Sequence, residues 1–136
     1  MIAQLTGKVA STQRNPIIID VGGVGYAVYF PEKFLAGLKL GQPITASIHT
    51  HVREDALVLF GFPNRTEQTL FELLLTVSGV GPKTALLIMD HGAAAVQQAI
   101  GKGDVDFFQS IPRLGKKNAQ KIIIELRNKM IDGDFD

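Results

Sequence analysis

The 136-residue sequence has no cysteine, so disulfides, thiolate metal sites and cysteine nucleophiles are all excluded. This absence suits a reducing compartment, and we expect a cytoplasmic protein. No basic segment followed by an apolar one precedes the first strand pattern, so no secretory signal is predicted. The apolar runs 73–75 and 86–89 are far too short to cross a bilayer, and no membrane partner is expected.

The motifs of nucleotide-binding enzymes are also missing. A P-loop needs a glycine directly before Lys-Ser/Thr, but Pro82 precedes Lys83, and Lys117 stands where the second Gly-Lys pair would need Ser or Thr. The glycines at 22–25 lack the third glycine of a dinucleotide-binding fingerprint, because Val28 occupies its place. We therefore expect no nucleotide cofactor and no ATP binding or hydrolysis.

No arrangement of residues predicts catalysis or a resident metal. No serine lies in a Gly-x-Ser-x-Gly elbow, and no nucleophilic triad is evident. His49 and His51 alternate on one predicted strand, but without a clear third ligand a structural role is favoured over zinc. A nuclease or glycosylase that grips DNA remains the rival enzyme hypothesis, although it would need a carboxylate cluster or a catalytic lysine in a pocket. We expect no catalytic residues, no metal and no cofactor.

Net charge is only +1, but the basic residues are unevenly placed. Residues 113–129 contain six lysines and arginines against Glu125 alone, and aspartates dominate the stretch after them. A local basic surface on a nearly neutral protein is typical of a phosphate-binding face. From charge alone, a solvated helix face is the commoner explanation.

The hydrophobic pattern divides the chain into two halves. Residues 1–63 read as five β-strands with a short helical turn at 31–35 between the third and fourth, which fits a small closed barrel of the OB type. Residues 64–131 have helical periodicity. Asn64 or Thr66 can cap the first helix, and Glu67 lies three residues after Asn64 as in a capping box. The predicted fold class is therefore a two-domain β + α protein, an OB-fold barrel followed by an all-α domain.

One unusual pattern occurs twice in the helical half, at 77–85 and again at 111–119. Each copy has a tight turn of apolar residues and glycine, then a lysine, then an alanine that opens an amphipathic helix. Glycine lets backbone N–H groups approach an anion closely, and the following helix start adds free donors and its positive dipole end. One such turn alone is as often a plain helix connector. Two copies predict tandem helix-hairpin-helix motifs that bind a nucleic-acid backbone.

The candidate phosphate-binding residues lie in and just after the two turns. They are Ser78, Gly79, Val80, Gly81, Lys83 and Thr84 in the first copy, and Arg113, Gly115, Lys116, Lys117 and Asn118 in the second.

Five sequence motifs occur together in an order and with gaps that resemble the RuvA family of Holliday-junction-binding proteins. They are Gly-Gly-Val-Gly-Tyr at 22–26, His-Val-Arg-Glu-Asp-Ala at 51–56, Leu-Phe-Gly-Phe at 59–62, Leu-Phe-Glu-Leu-Leu at 70–74 and Gly-Val-Gly-Pro-Lys at 79–83. Each motif is weak alone, and the combination is specific. The resemblance extends from the first residue to about residue 130.

The resemblance implies a non-catalytic DNA-binding subunit that acts in recombination and repair. It implies a homotetramer, or an octamer of two tetramers, that holds a four-way junction open while the hexameric ATPase RuvB pumps DNA; RuvC resolves the junction. Glu54 and Asp55 match the family's acidic pin at the centre of the tetramer. By residue type alone, adjacent carboxylates at a hairpin tip are usually turn chemistry, although fixed negative charges there would also repel phosphates.

Two departures from the family pattern are visible. The family usually carries a third, C-terminal domain that contacts RuvB, whereas this sequence stops at Asp136; we expect residues 132–136 to be the acidic start of the linker and the third domain to be absent. The second turn has Arg113 where the family has glycine. If that position requires a positive φ, an arginine costs on the order of 1–2 kcal/mol, which its guanidinium could offset by reaching a phosphate.

A second rival is an interaction module, an OB barrel that binds single strands or protein. Single-strand binding by OB folds usually relies on exposed aromatic side chains. Tyr26, Tyr29 and Phe30 alternate on the third predicted strand, so at least one of them must face the barrel interior. The candidate stacking platform is therefore thin.

Overall fold

A computed structural model describes residues 1–131, and the predicted acidic linker start at 132–136 lies outside the described residues. The chain divides into two compact units, Met1–Gln68 and a second that begins at Thr69. The division falls a little after the change of hydrophobic period predicted at Pro63-Asn64.

The first unit is a closed five-stranded barrel, as the alternating pattern predicts. Its strands are β1 (Gln4–Ser11), β2 (Ile17–Val21), β3 (Val24–Tyr29), β4 (Pro43–Arg53) and β5 (Ala56–Phe62), with a short helix α1 (Glu32–Leu35) between β3 and β4. The strand order is β1-β2-β3-β5-β4, and β4 pairs with β1 to close the barrel. All pairs are antiparallel except β3 with β5, which are parallel. This is an OB-like barrel.

Side chains of β4 show how the pattern becomes a core. Ile44, Ala46 and Ile48 are buried, and the residues between them are more exposed, as the two-residue period of a strand requires. Thr50 continues the buried set, and its hydroxyl donates to the carbonyl of Ile2, so the buried polar group is satisfied. Apolar residues of the other four strands extend this core: Leu5, Val9, Ile17, Ile19, Val28 and Leu59.

Two local features shape the backbone of the barrel. The pairing register of β1 with β2 shifts between Val9 and Ser11, and an irregularity of this kind bends a strand and increases its twist. Asn15, in the loop after β1, pairs with the backbone of Phe30. Its amide donates to the Phe30 carbonyl (2.8 Å) and its Oδ1 accepts from the Phe30 amide (3.1 Å). Both backbone groups at the end of β3 are thereby satisfied.

The helices after the barrel form a helix pair, a linker helix and a second helix pair, which agrees with the predicted tandem helix-hairpin-helix motifs. They are α2 (Arg65–Leu75), α3 (Pro82–Met89), α4 (Ala93–Lys102), α5 (Val105–Gln109) and α6 (Lys116–Ile131). The second unit thus contains the tandem helix-hairpin-helix arrangement, with α2 and α3 flanking the first turn, α4 as the linker, and α5 and α6 flanking the second turn. Its buried side chains include Val96, Ile100, Phe108, Ile122 and Leu126. Among residues 1–131, no helix is long and apolar enough to span a membrane.

Candidate nucleic-acid interface

The first turn is held from below by two apolar side chains. Val77 and Val80 are 1% and 5% exposed, and the Val80 amide donates to the Val77 carbonyl at 3.0 Å. Gly79, between them, has φ +88°, a conformation that side-chain-bearing residues rarely adopt. Ser78 and Gly79 are exposed. The burial of the two valines therefore fixes the turn and leaves its tip in solvent.

The second turn repeats this geometry. Ile111 and Leu114 are 2% and 6% exposed, and the Leu114 amide donates to the Ile111 carbonyl at 3.2 Å. Arg113 corresponds to Gly79 of the first turn and has φ +74°. The sequence left open whether this position needs a positive φ, and in the structure it has one. The pattern repeated in the sequence is thus a repeated backbone conformation.

Both turns lead into a helix that is directly preceded by a glycine. The Ala85 amide donates to the Gly81 carbonyl at 2.9 Å, and the Ala119 amide donates to the Gly115 carbonyl at 3.0 Å. Gly81, the N-cap of α3, makes no side-chain capping bond, and Gly115 has no side chain with which to make one. The first-turn amides of a helix lack intrahelical acceptors. A phosphate oxygen from outside the protein can therefore accept hydrogen bonds from these amides.

The first helix of each pair is capped differently. Asn64 accepts from the Glu67 amide at 2.9 Å at the start of α2, and Asp104 accepts from the Phe107 amide at 3.1 Å at the start of α5. These side chains satisfy donors at the helix start, as capping residues do. Burial raises the pKa of Glu67, against the opposing effects of its bond to the Asn64 amide and of the nearby Lys33 charge. In each hairpin, the first helix is therefore capped by a side chain, and the second helix is preceded by a glycine that cannot cap it.

The structure sorts the predicted phosphate-binding residues by exposure. Eight of them are exposed: Ser78, Gly79, Gly81, Lys83, Arg113, Gly115, Lys116 and Lys117. Val80 and Thr84 are buried, at 5% and 8% exposure. The Val80 amide is already bonded to the Val77 carbonyl, so Val80 anchors the turn, and its role as a phosphate ligand stays a prediction. Thr84 lies in the first turn of α3, and its role as a phosphate ligand likewise stays a prediction.

Asn118 joins the two turns. A Cβ built on Gly79 would lie 3.0 Å from Oδ1 and 3.2 Å from Nδ2 of Asn118, so the half-buried amide lies directly against the first turn. The sequence predicted Asn118 as a phosphate ligand and gave no sign of this contact. In the structure, the start of α6 supports the tip of the first turn.

Two cations of the basic segment are bound within the protein. Arg127 donates to the Gly101 carbonyl at 3.1 Å, and Lys129 donates to the Thr76 hydroxyl at 2.8 Å. Sequence reasoning counted both as part of a basic surface and did not foresee these bonds. Three of the four exposed cations of this segment, Arg113, Lys116 and Lys117, lie at its start around the second turn, and the fourth is Arg127.

The acidic pair occupies the tip of the β4–β5 hairpin. Arg53 pairs directly with Ala56, so Glu54 and Asp55 form a two-residue turn, and both are exposed. Immediately below the tip, the cross-strand partners Val52 and Leu57 are 62% and 60% exposed. The pair thus extends into solvent at the end of a long antiparallel ladder.

His49 and His51 share the outer face of β4, as their alternation predicts. Their ring centroids lie 6.0 Å apart, and both approach Phe60 of β5, at 6.5 and 6.4 Å. Partial burial lowers the pKa of His51, and the nearby charges of His49 and Arg53 lower it further. Within residues 1–131, no group of three or more His, Asp or Glu residues is arranged to hold a metal ion.

Comparisons with known proteins agree with this geometry. The family model described as "RuvA N terminal domain" matches residues 1–61, and the one described as "SAM-like Helix-hairpin-helix tandem" matches residues 71–128. The barrel and the helical unit are thus each recognised separately.

Curated proteins of three organisms are similar over nearly the whole chain. Each is named "Holliday junction branch migration complex subunit RuvA". The protein of Syntrophotalea carbinolica is 47% identical over 131 residues, which cover 96% of this chain and 66% of the relative. The Bdellovibrio bacteriovorus protein is 43% identical over 134 residues (96% and 68%), and that of Streptomyces coelicolor 40% over 131 residues (96% and 65%). The chain spans about two thirds of the length of the curated relatives it matches.

Proposed function

The chain belongs to the RuvA family, and on this premise we propose that it binds four-way (Holliday) DNA junctions in recombination and repair. Binding depends on the structure of the DNA and not on its sequence. The observation that carries the proposal is the repeated turn. Gly79 and Arg113 share one backbone conformation, and each turn leads through a glycine into a helix with an exposed lysine nearby, Lys83 or Lys117.

Each turn contributes three kinds of attraction to a phosphate. The amides at the start of α3 and α6 donate hydrogen bonds, the helix dipole adds partial positive charge, and the lysine adds a full one. Contacts of this kind position DNA without reading bases. Every phosphate neutralised releases counterions, so affinity falls with salt by a slope of roughly −0.9 for each contact on duplex DNA. Several copies of the chain on one junction multiply the number of contacts.

The acidic tip serves a different purpose from the turns. Glu54 and Asp55 place two exposed carboxylates at the end of a hairpin, where they repel any phosphate that approaches. In a four-fold assembly the tips of four chains meet near the crossover and favour separation of the strands. We assign the pair to excluding backbone from the junction centre, not to binding it.

The assembly that fits a four-armed substrate is a homotetramer or an octamer of two tetramers. A single chain with two hairpins would bind any duplex weakly, so preference for a junction depends on the oligomer. In this proposal the chain holds the junction open for branch migration by the RuvB motor, has no ATPase activity of its own, and acts in the cytoplasm with RuvC. The RuvB contact belongs to the C-terminal domain typical of the family.

Two of the three aromatic side chains that a single-strand-binding barrel would use for base stacking are taken up by the barrel core. Phe30 belongs to the barrel core and Tyr26 packs against it, which leaves Tyr29 among the three aromatics considered. Base stacking on an OB fold needs exposed rings. Binding to junctions therefore remains the better-supported activity.

A competition experiment tests the proposal. A fluorescent synthetic four-way junction is titrated with the protein, and unlabelled junction, duplex and single strands of the same sequences then compete for it. We expect the junction to compete best, a junction of unrelated sequence to compete equally well, and light scattering to show a tetramer or octamer on the DNA. Equal competition by duplex or single strands would contradict junction specificity. Cleavage of the labelled junction in Mg²⁺ would instead support the nuclease alternative.

A further inference from the structure

The two turns have the same backbone and differ at the tip. Among residues 1–131, Arg113 is the one residue other than glycine with a positive φ. A side chain in this conformation costs free energy because Cβ approaches the neighbouring carbonyl oxygen. The first turn avoids the cost with Gly79, so the fold itself does not require an arginine. Strained residues of this kind tend to persist where they serve a function.

The surroundings of the two tips also differ. At Gly79 the Asn118 amide occupies the space into which a side chain would extend. Arg113 carries its side chain at an exposed position, with Lys116 and Lys117 exposed three and four residues on. Like charges at neighbouring exposed positions of one turn repel one another in the free protein. An anion placed among them removes that repulsion and gains three attractions.

We propose that the Arg113 guanidinium contacts the DNA backbone directly, so that the two hairpins bind phosphates by different means. The first tip carries no charged side chain, whereas the second adds a permanent charge whose planar donors suit phosphate oxygens. This inference rests on the proposed function of the turns. In this inference, Arg113 raises the affinity of the second turn for DNA, while its positive φ lowers the stability of the folded protein.

Two substitutions separate the charge from the strain. Arg113→Gln keeps Cβ, and with it the unfavourable φ, but removes the charge; Arg113→Gly removes both. We expect both variants to bind a four-way junction about 10-fold more weakly. We also expect the salt dependence of binding to flatten by about 0.9 for each lost phosphate contact. Only Arg113→Gly should raise the thermal midpoint, by about 4–8 °C, because it alone relieves the strain.

A charge-matched control is available on the linker helix. Lys102 is exposed at the end of α4 and outside both turns, so Lys102→Gln removes one positive charge without touching the hairpins. We expect this variant to bind the junction like the unchanged protein. An equal loss of affinity in Lys102→Gln would show that only total charge matters and would overturn the inference.

The outcomes also separate this inference from the proposed function. If the unchanged protein binds the junction and Arg113→Gln matches it in affinity and salt slope, the contact does not exist, although the proposed function stands. If the unchanged protein shows no preference for the junction over duplex, the proposed function itself fails and this inference fails with it. Loss of affinity combined with gain of stability in Arg113→Gly supports the inference.

Discussion

The side-chain amide of Asn118 lies against Gly79, so the start of α6 packs onto the tip of the first turn. The two turns are therefore held at a fixed spacing by a direct contact. Successive phosphates on a DNA strand are also regularly spaced, and a rigid pair of donors loses less entropy on binding than two independent ones. We assign Asn118 to positioning the turns.

Replacement of Gly79 by alanine should destabilise the protein by about 1–3 kcal/mol, because alanine disfavours φ +88° and its Cβ would lie 3.0 Å from the Asn118 amide. Gly81→Ala is the matched control, since Gly81 has φ −93° and a Cβ there meets nothing within 4 Å. Urea unfolding of both variants measures the difference. Equal stabilities would show that the Gly79 conformation is not required.

The same control residue tests the binding role of the backbone. A Cβ on Gly81 leaves the fold undisturbed but stands where a phosphate would approach the start of α3. We expect Gly81→Ala to retain its unfolding midpoint and to bind the junction more weakly, as measured by fluorescence anisotropy. Unchanged junction affinity in this folded variant would count against backbone binding at the first turn.

Removing the lysines beside the turns should weaken DNA binding at every sequence. Lys83→Ala and Lys117→Ala each remove an exposed charge next to a helix start, and each should reduce the slope of log affinity against log salt by about 0.9 for a lost phosphate contact. Two junctions of unrelated sequence, titrated across a range of salt, provide the measurement. Lys102→Ala is the control that should leave the slope unchanged. An effect confined to one DNA sequence would instead indicate base recognition.

Neutralising the acidic tip should leave junction affinity intact or raise it. In the double variant Glu54→Gln, Asp55→Asn, two exposed carboxylates that repel phosphate become neutral amides of similar size. Anisotropy titrations at low salt, where repulsion is least screened, give the clearest comparison. A large loss of affinity would show that the tip binds DNA or shapes the oligomer.

Thermal stability should fall as the pH is lowered through the titration range of His51. Its pKa lies below the ordinary 6.5, because burial and then the His49 and Arg53 charges disfavour the imidazolium. The unfolded chain therefore binds more protons near that pH, and acid favours unfolding. His51→Gln should flatten this dependence at pH values below the ordinary pKa of 6.5. Melting curves across that range test the effect, which is modest because the side chain is largely solvated.

Local signals in the sequence predicted the elements and the turns. The short helical turn at 31–35, the Asn64 capping pattern and the repeated glycine turns each depend on neighbours a few residues away, and the structure confirms all three. The contacts that the sequence did not predict join residues far apart in the chain, such as Lys129 to Thr76. A count of charges cannot reveal which cations are held by such bonds. Val80 is buried because it lies beneath the turn. The repeated sequence pattern did not show which residues of the turn are buried and which are exposed.

The hairpin that carries Glu54 and Asp55 is constrained in length as well as in charge. Because Arg53 pairs directly with Ala56, no spare residue exists between the two strands. One inserted or deleted residue would shift β5 by a single step and turn Leu59 out of the core, since neighbouring strand residues face opposite ways. The tip therefore tolerates substitutions, or changes in length that keep the alternation of β5. The pairing of the two strands thus also fixes how far the acidic tip extends from the barrel.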